Sequence, residues 1–141
     1  MEAKMKIGQV LGIVGLATSV ASISHSAFAF DLNGAWATNV SSCSKIFQKD
    51  KDGGLSIAQG SDMYGSGFVA RKDAIVGNNA ACKIVSQKVA GPVTHLVAQC
   101  AAENVAFSTF QFSYRVKDDN NIVRIFPGIE ELNVDYGRCK F

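Results

Sequence analysis

Apolar and polar residues alternate along most of the chain after residue 30, in short stretches separated by polar or glycine-containing turns. A period of two residues is typical of strands with one buried face, and regular strand–turn spacing is typical of a barrel or sandwich. We therefore expect a mainly β domain, built as a small antiparallel up-and-down barrel or as a sandwich. The expected strands are 32–38, 55–57, 67–70, 74–76, both arms of a hairpin over 81–100, 105–116, 122–126 and 132–136.

The hairpin over 81–100 is centred on Gly91 in this pattern. Cys82 and Cys100 lie at equal distances from Gly91 along the chain, so one antiparallel register places them opposite each other, within disulfide range. Gly91 can take a positive φ and Pro92 cannot continue a ladder, which favours a turn at this point. In the same register the expected cross-strand pairs are Ile84–Ala98, Val85–Val97, Ser86–Leu96, Gln87–His95 and Val89–Val93.

The chain has four cysteines, an even number that is typical of disulfides in exported proteins and that allows three pairings. Because the hairpin pairs Cys82 with Cys100, Cys43 is left to pair with Cys139. Redox-active cysteines would require a close Cys-x-x-Cys pair or one activated thiol. The spacing fits neither, so we expect two structural disulfides.

One segment near the first strand has a helical rather than an alternating pattern. Cys43, Ile46 and Phe47 lie at helical spacing on one side, and serine precedes them in a position suited to a helix cap. This predicts a short helix between Ser42 and Gln48. The same residues also fit a strand, and both alternatives remain open at this point.

The longest expected strand, 105–116, changes the parity of its apolar positions near Ser108 and Thr109. A β-bulge there would restore a common inward face. The aromatic residues of this strand and the next are expected to fill the core rather than line a ligand cavity, because so short a domain leaves little free space inside a barrel. These aromatic residues are Phe107, Phe110, Phe112, Tyr114 and Phe126, and the single tryptophan, Trp36, is expected to anchor the same core.

Residues 1–29 have the features of an export signal. Two lysines precede an apolar stretch over 7–23, and the small residues Ala27 and Ala29 fit a cleavage site before Phe30. The apolar stretch is interrupted by glycine, serine and threonine, which suits a membrane span of about 20 apolar residues poorly. We expect cleavage and no stable membrane insertion afterwards; an uncleaved anchor is the alternative.

Cleavage would leave residues 30–141, a length that suits a single domain with one core. Its cysteines indicate an oxidising compartment, so a periplasmic or secreted location is expected. The whole chain has 14 basic and 12 acidic residues and a formal net charge of +2. The basic residues are scattered among acids rather than gathered into a stripe, so nucleic acid is not an expected partner.

The sequence contains no complete catalytic or metal-binding motif. His95 is the only histidine after residue 30, and no cysteine or carboxylate stands near it at ligand spacing. The segment 50–54 resembles a calcium loop, but Gln59 occupies the position of the required bidentate carboxylate. The glycine-rich segment 59–67 precedes no helix pattern, so it suits neither a phosphate cradle nor a serine nucleophile elbow. We expect no cofactor, no metal and no enzymatic activity.

The segment Gly34-Ala35-Trp36, with Cys43 soon after it, resembles the start of small exported lipocalin-like barrels. Bacterial periplasmic protease inhibitors are among these proteins. The resemblance covers residues 34–43 and implies a binding barrel. The inhibitors of this group act through an exposed N-terminal segment and loops.

These observations favour an exported binding or interaction module, whose partner is another protein or a small ligand. Inhibition of an envelope or host enzyme is one form that such a role takes. Two alternatives stay open. One is an enzyme with a site near His95, and the other is a structural envelope protein without a discrete ligand.

Overall fold

The structure, a computed structural model, describes residues 30–102 and 105–141, without the side chains of residues 102 and 105–107. The export signal expected over residues 1–29 lies outside the described residues. The inward or outward direction expected for the side chain of Val105 and the core position expected for Phe107 also lie outside the described residues.

The described chain is mainly β, and eight of its strands close into an antiparallel barrel, as predicted. The strand order around the barrel is β1-β10-β9-β8-β7-β6-β5-β4, while β2 and β3 form a separate hairpin. In chain order the strands are β1 Gly34–Ala37, β2 Phe47–Lys49, β3 Leu55–Ile57, β4 Gly67–Arg71, β5 Ala74–Val76, β6 Ala81–Ala90, β7 Val93–Ala102, β8 Val105–Asp118, β9 Asn121–Ile125 and β10 Val134–Arg138.

The barrel has two ends, which we call upper and lower. Loops 58–66 and 77–80 lie at the upper end, and residues 30–33 lie at the lower end with the turns that join β4 to β5 and β8 to β9. The strands differ in length around the wall. Because β5 pairs only with residues 81–83 of β6, residues 85–90 have no strand partner on that side in the described chain.

A short helical segment follows β1, as predicted. It comprises a 3₁₀ turn over Val40–Ser42 and helix α1 over Cys43–Ile46, and Phe47 then begins β2. The side chain of Ser42 does not cap α1. The helix and the β2–β3 hairpin cover the outer face of the barrel, where Ile46 and Phe47 pack with Ala35 and Val69.

Gly67 allows this outer layer to approach the barrel closely. A Cβ atom at Gly67 would lie 2.6 Å from Cζ of Phe47 and 2.9 Å from the backbone oxygen of Trp36. Such distances are shorter than any side-chain carbon tolerates, so the position requires glycine. The contact fixes the start of β4 against the hairpin.

Trp36 anchors the core, as predicted, and is completely buried. Alternation along β1 turns Trp36 inward, while its neighbours Ala35 and Ala37 face the outer layer. The indole Nε1 donates a hydrogen bond to the carbonyl of Leu32 at 2.8 Å, so its polar group is satisfied despite burial. The other large core side chains include Phe68, Leu96, Phe112, Tyr114, Ile122 and Tyr136.

The predicted register of the central hairpin is correct on one side of a β-bulge and wrong on the other. Cys82 faces Cys100 and Ile84 faces Ala98, as expected, but Val85 is an extra residue without a partner in β7. Below Val85 each residue of β6 pairs one position away from the prediction. Ser86 faces Val97 rather than Leu96, Gln87 faces Leu96, Lys88 rather than Gln87 faces His95, and Val89 faces Thr94 rather than Val93.

The reason is the length of the turn. Ala90 faces Val93, so Gly91 and Pro92 together form a two-residue turn and the centre lies between them. Gly91 takes a φ of +58° there, as its freedom at positive φ allows. The bulge at Val85 adds one residue to β6 and thereby restores the symmetric pairing of the two cysteines.

The bulge predicted near Ser108 and Thr109 is present in β8 and lies just before these residues. Ser108 faces Cys100 and Thr109 faces Gln99 in a continuous ladder. Val105 faces Ala102, so residues 106 and 107 of β8 together lie opposite Ala101 alone. The extra residue changes the inward-facing parity of β8 between Val105 and Ser108.

Both predicted disulfides are present, Cys43–Cys139 and Cys82–Cys100. They span sequence separations of 96 and 18 residues, respectively. The first joins α1 to the residue after β10, and the second crosses the β6–β7 ladder. Two disulfides are consistent with an extracellular or periplasmic location. In the described residues, no helix has the length and apolar character needed to cross a membrane.

Candidate functional site

A cavity of about 260 Å³ lies at the upper end of the barrel, and we call it the upper cavity. Its wall is the inward face of several strands, where alternation points aromatic and aliphatic side chains toward the axis. Loops 58–66 and 77–80 form its rim. The apolar part of the wall comprises Phe68, Ile75, Phe110, Phe112 and Tyr136.

The expectation that the aromatic residues fill the core is right for some of them and wrong for Phe110. Tyr114 and Phe112 are both 3% exposed and belong to the core. Phe110 is 41% exposed and lines the upper cavity beside Phe112, whose ring also contacts that space. Phe107 lies outside the described side chains. The core therefore ends below Phe110, and open volume begins there.

Arg124 is the one basic side chain that lines the upper cavity in the described residues. It lies on β9 two positions after Ile122, which is fully buried in the core, so alternation points both inward. Its guanidinium carbon lies 4.6 Å from the ring centroid of Phe126, 5.0 Å from that of Phe112 and 5.3 Å from that of Phe110. These distances are those of cation–π contacts.

The rim of the upper cavity is tied together by one hydrogen bond between its two loops. Asn78 Nδ2 donates to Asp62 Oδ1 at 2.5 Å. Asp62 belongs to a 3₁₀ turn over Ser61–Tyr64, inside the glycine-rich segment that the sequence predicts as a plain loop. The segment therefore forms one side of the upper cavity.

The lower end of the barrel is closed by residues 30–33. The ring of Phe30 lies 6.0 Å from that of Trp36 and 6.3 Å from that of Tyr114. Arg138 holds this segment, since its guanidinium donates to the carbonyls of Asp31 and Asn33. The remaining space there is a smaller cavity of about 150 Å³.

This closure bears on the resemblance to periplasmic inhibitors. Those proteins act through an exposed N-terminal segment, whereas Phe30 and Leu32 are half-buried and pack against the core. Residues 30–33 are therefore part of the barrel's lower end in this chain rather than a free arm.

His95 lies on the outer wall of the barrel, away from both ends. Its Nδ1 is 2.7 Å from Ser113 Oγ, and Gln111 Nε2 donates to the same oxygen at 2.9 Å. Ser113 is only 2% exposed, and no carboxylate pairs with His95 in the part of the chain that the structure describes. A histidine beside a serine is half of a nucleophile–base arrangement, but this serine is covered and no described carboxylate orients the histidine.

The sequence did not indicate the contact between His95 and Ser113. The predicted register placed His95 opposite Gln87 of β6, and the neighbour that matters lies on its other side in β8, where His95 faces Ser113. If the register of β7 and β8 had been known from the sequence, it would have placed His95 opposite Ser113 on the same face of the sheet.

Two titratable groups have perturbed pKa values, and neither lies in the upper cavity. Burial raises the pKa of Tyr114, against the opposing effect of a hydrogen bond with Thr94. The backbone amide of Asn120, followed by the side chain of Asn121, lowers the pKa of the Asp118 carboxyl in the turn after β8. Tyr114 is therefore neutral and Asp118 is charged at neutral pH.

The described residues contain no group of three or more histidine, cysteine or acidic side chains placed to hold a metal ion. The most distinctive chemistry of the molecule is therefore the aromatic wall of the upper cavity with Arg124 inside it. Searches with protein-family models, curated proteins and solved structures found no match to this chain.

Proposed function

We propose that this protein is an exported binding protein that holds a small, partly apolar molecule in the upper cavity. The observation that carries the proposal is the open cavity of about 260 Å³ with aromatic walls, in a small barrel whose other end is narrowed by residues 30–33 to a cavity of about 150 Å³. Concave sites with apolar walls and a few polar groups are the usual form of small-molecule sites. The ligand is the partner in this proposal, and no chemical step is assigned to it.

The size of the cavity limits the size of the ligand. A dry protein cavity of about 150 Å³ accepts benzene, so the upper cavity has room for one ring and a short substituent. A ligand of about ten non-hydrogen atoms at about 0.4 kcal/mol per atom reaches a Kd of about 1 mM. Larger ligands would extend past Phe110 and over the rim loops.

A protein partner is the less favoured form of the same binding role. An inhibitor that used its N-terminal segment would have to release Phe30 and Leu32 from the core contacts that they make. An enzymatic role centred on His95 is also less favoured, because Ser113 is covered. Binding in the upper cavity requires neither the release of residues 30–33 nor the exposure of Ser113.

We propose a periplasmic or secreted location for the domain of residues 30–141, after removal of residues 1–29. Two disulfides and the predicted signal support this location. N-terminal sequencing of exported protein should give Phe30 as the first residue. Exported material that retains residues 7–23 would contradict cleavage.

The binding proposal is tested with phenylacetamide, a neutral one-ring probe, followed by amide chemical shifts in two-dimensional NMR. We expect saturable shifts at the rim glycines, including Gly65, Gly67 and Gly77. Ala80→Phe places a ring at the cavity wall and should abolish these shifts. Ala81→Phe, at the adjacent exposed position, is the matched control and should retain them.

Two results would contradict the proposal. The first is no saturable shift at probe concentrations of about 10 mM, ten times the Kd expected for a ligand of this size. The second is equal binding by the wild-type protein and the folded Ala80→Phe variant, since the probe would then bind somewhere else.

A further inference from the structure

We infer that the upper cavity selects an anion, namely a small carboxylic acid with an aromatic or branched apolar body, and that Arg124 receives the carboxylate. The inference rests on the proposed function, since it names the ligand class of the same cavity. Four features of the cavity support it, namely the position of Arg124, its unused donors, the other charged side chain and the available volume.

The position of Arg124 makes its charge effective inside the cavity. The side chain is half-buried and lies against three phenylalanine rings. The rings replace water on those sides of the guanidinium. A charge in surroundings of lower polarity than water attracts an opposite charge more strongly than the same charge on an open surface does.

The hydrogen-bond donors of Arg124 are unused by the described protein. A guanidinium has five N–H donors, yet Arg124 donates to no described acceptor, and no described carboxylate lies within 4 Å of it. In contrast, Arg71 donates to the carbonyl of Leu55 and Arg138 donates to three carbonyls. The described residues contain no buried nitrogen without a partner, so the donors of Arg124 are open to solvent.

The other charged side chain of the upper cavity is Asp62, and it is already engaged. Its carboxylate accepts a hydrogen bond from Asn78, lies in an exposed residue of the rim and makes no ion pair with Arg124. Asp62 therefore lies on the solvated rim, whereas Arg124 lies against the rings of the wall and has no described acceptor, so the positive charge is the one that acts inside the cavity. Carboxylates are the groups that match the planar donor fork of arginine, with two parallel hydrogen bonds.

The volume and the wall define the rest of the ligand. The cavity of about 260 Å³ exceeds the roughly 150 Å³ that accepts benzene, by enough for a short acidic arm. Phe68, Phe110 and Phe112 provide ring edges and faces for an aromatic or branched body. Phenylacetate has this size and charge and is the probe that we choose.

The experiment compares phenylacetate with phenylacetamide, which has nearly the same shape without the charge, at neutral pH and low salt. Calorimetry or NMR titration should show that the wild-type protein binds the acid about 10- to 100-fold more tightly than the amide, the range of a charge-assisted hydrogen bond. Arg124→Gln should remove this preference, so that acid and amide bind with similar affinity. Arg124→Lys keeps the charge and should retain part of the preference.

Arg115→Gln is the matched control, because it removes the same charge from an exposed position of the adjacent strand β8. This control should keep the full preference for phenylacetate. Asp62→Asn removes the rim carboxylate and should leave acid binding equal or tighter. Denaturant unfolding followed by the fluorescence of the buried Trp36 checks that Arg124→Gln is folded.

The outcomes separate the two proposals. Equal binding of acid and amide by the wild-type protein would overturn the anion inference and leave the proposed function intact, whereas binding of neither probe would refute both. An equal loss in Arg115→Gln and Arg124→Gln would assign the effect to net charge and overturn the inference. Weaker acid binding by Asp62→Asn would also overturn it, because the site would then require both charges.

Discussion

The two ends of the barrel each contain an arginine stacked on aromatic rings, and the two arginines are used differently. At the lower end the guanidinium carbon of Arg138 lies 4.3 Å from the Trp36 ring centroid, and its nitrogens donate to the carbonyls of Asp31, Asn33 and Asp119. At the upper end Arg124 has the stacking without any of the described acceptors. The same local motif closes one end and leaves donors free at the other.

The disulfides follow the same division. Cys139 comes directly after Arg138, and its amide donates to the carbonyl of Ala35, so the long crosslink ties the outer layer to the end of β10 that carries Arg138. Cys82 lines the upper cavity and bonds to Cys100 across one ladder. We therefore expect the lower end to carry more of the stability and the upper end more of the binding.

The largest expected effect comes from removing the crosslink of the lower end. Replacing Cys43 and Cys139 with Ala should lower the free energy of unfolding by about 4 to 5 kcal/mol, because this bond closes a loop of nearly a hundred residues. Replacing Cys82 and Cys100 with Ala should cost about 3 kcal/mol, since the loop is shorter. Denaturant unfolding measures both, and a larger loss for the upper pair would reverse the comparison.

The next effect separates the two arginines. Arg138→Met should destabilise the fold by about 2 kcal/mol, since it removes charge-assisted hydrogen bonds to backbone carbonyls. Arg124→Met should cost less than about 1 kcal/mol, the value of a partly exposed cation–π contact. Denaturant unfolding followed by Trp36 fluorescence checks both variants, and equal losses would mean that Arg124 is as structural as Arg138.

The smallest effect is expected on the wall between the two ends. His95→Ala should leave phenylacetate and phenylacetamide binding unchanged within a small factor, because its partners Ser113 and Gln111 lie on the outer wall. Ser113→Ala is the companion variant, and it too should leave both affinities unchanged. A hydrolytic activity of the wild-type protein that fell about 100-fold in His95→Ala would instead indicate a general base.

The parts of the fold that the sequence predicts are those set by local rules. Trp36 on an alternating strand, the two-residue spacing of β4 and β5, and the matched distances of Cys82 and Cys100 from Gly91 each contain their own structural signal. The bulge at Val85 has no such local signal. The two-residue turn at Gly91 and Pro92 shifts the register by one position and the bulge shifts it back, so Cys82 still faces Cys100.

The candidate site was harder to predict because β9 is apolar on both faces. Ile122 and Val123 are adjacent and both buried, so alternation does not indicate which face of the strand contains Arg124. Cross-strand pairing decides which face it is. The core residue Tyr114 faces Arg124 and the core residue Tyr136 faces Ile122, so Arg124 lies on the inward face of β9. The rim was missed for a different reason, since the contact of Asp62 with Asn78 joins two loops that share no sequence pattern.

The bulge at Val85 also has a consequence for self-association. Below the last residue that pairs with β5, the outer edge of β6 exposes backbone groups along residues 85–90, with Val89 64% exposed. A long, regular edge of this kind is a template for strand addition by another molecule. The extra residue at Val85 interrupts the regular spacing of that edge, and the exposed Lys88 adds a charge to it, so the edge is protected against stacking into intermolecular sheets.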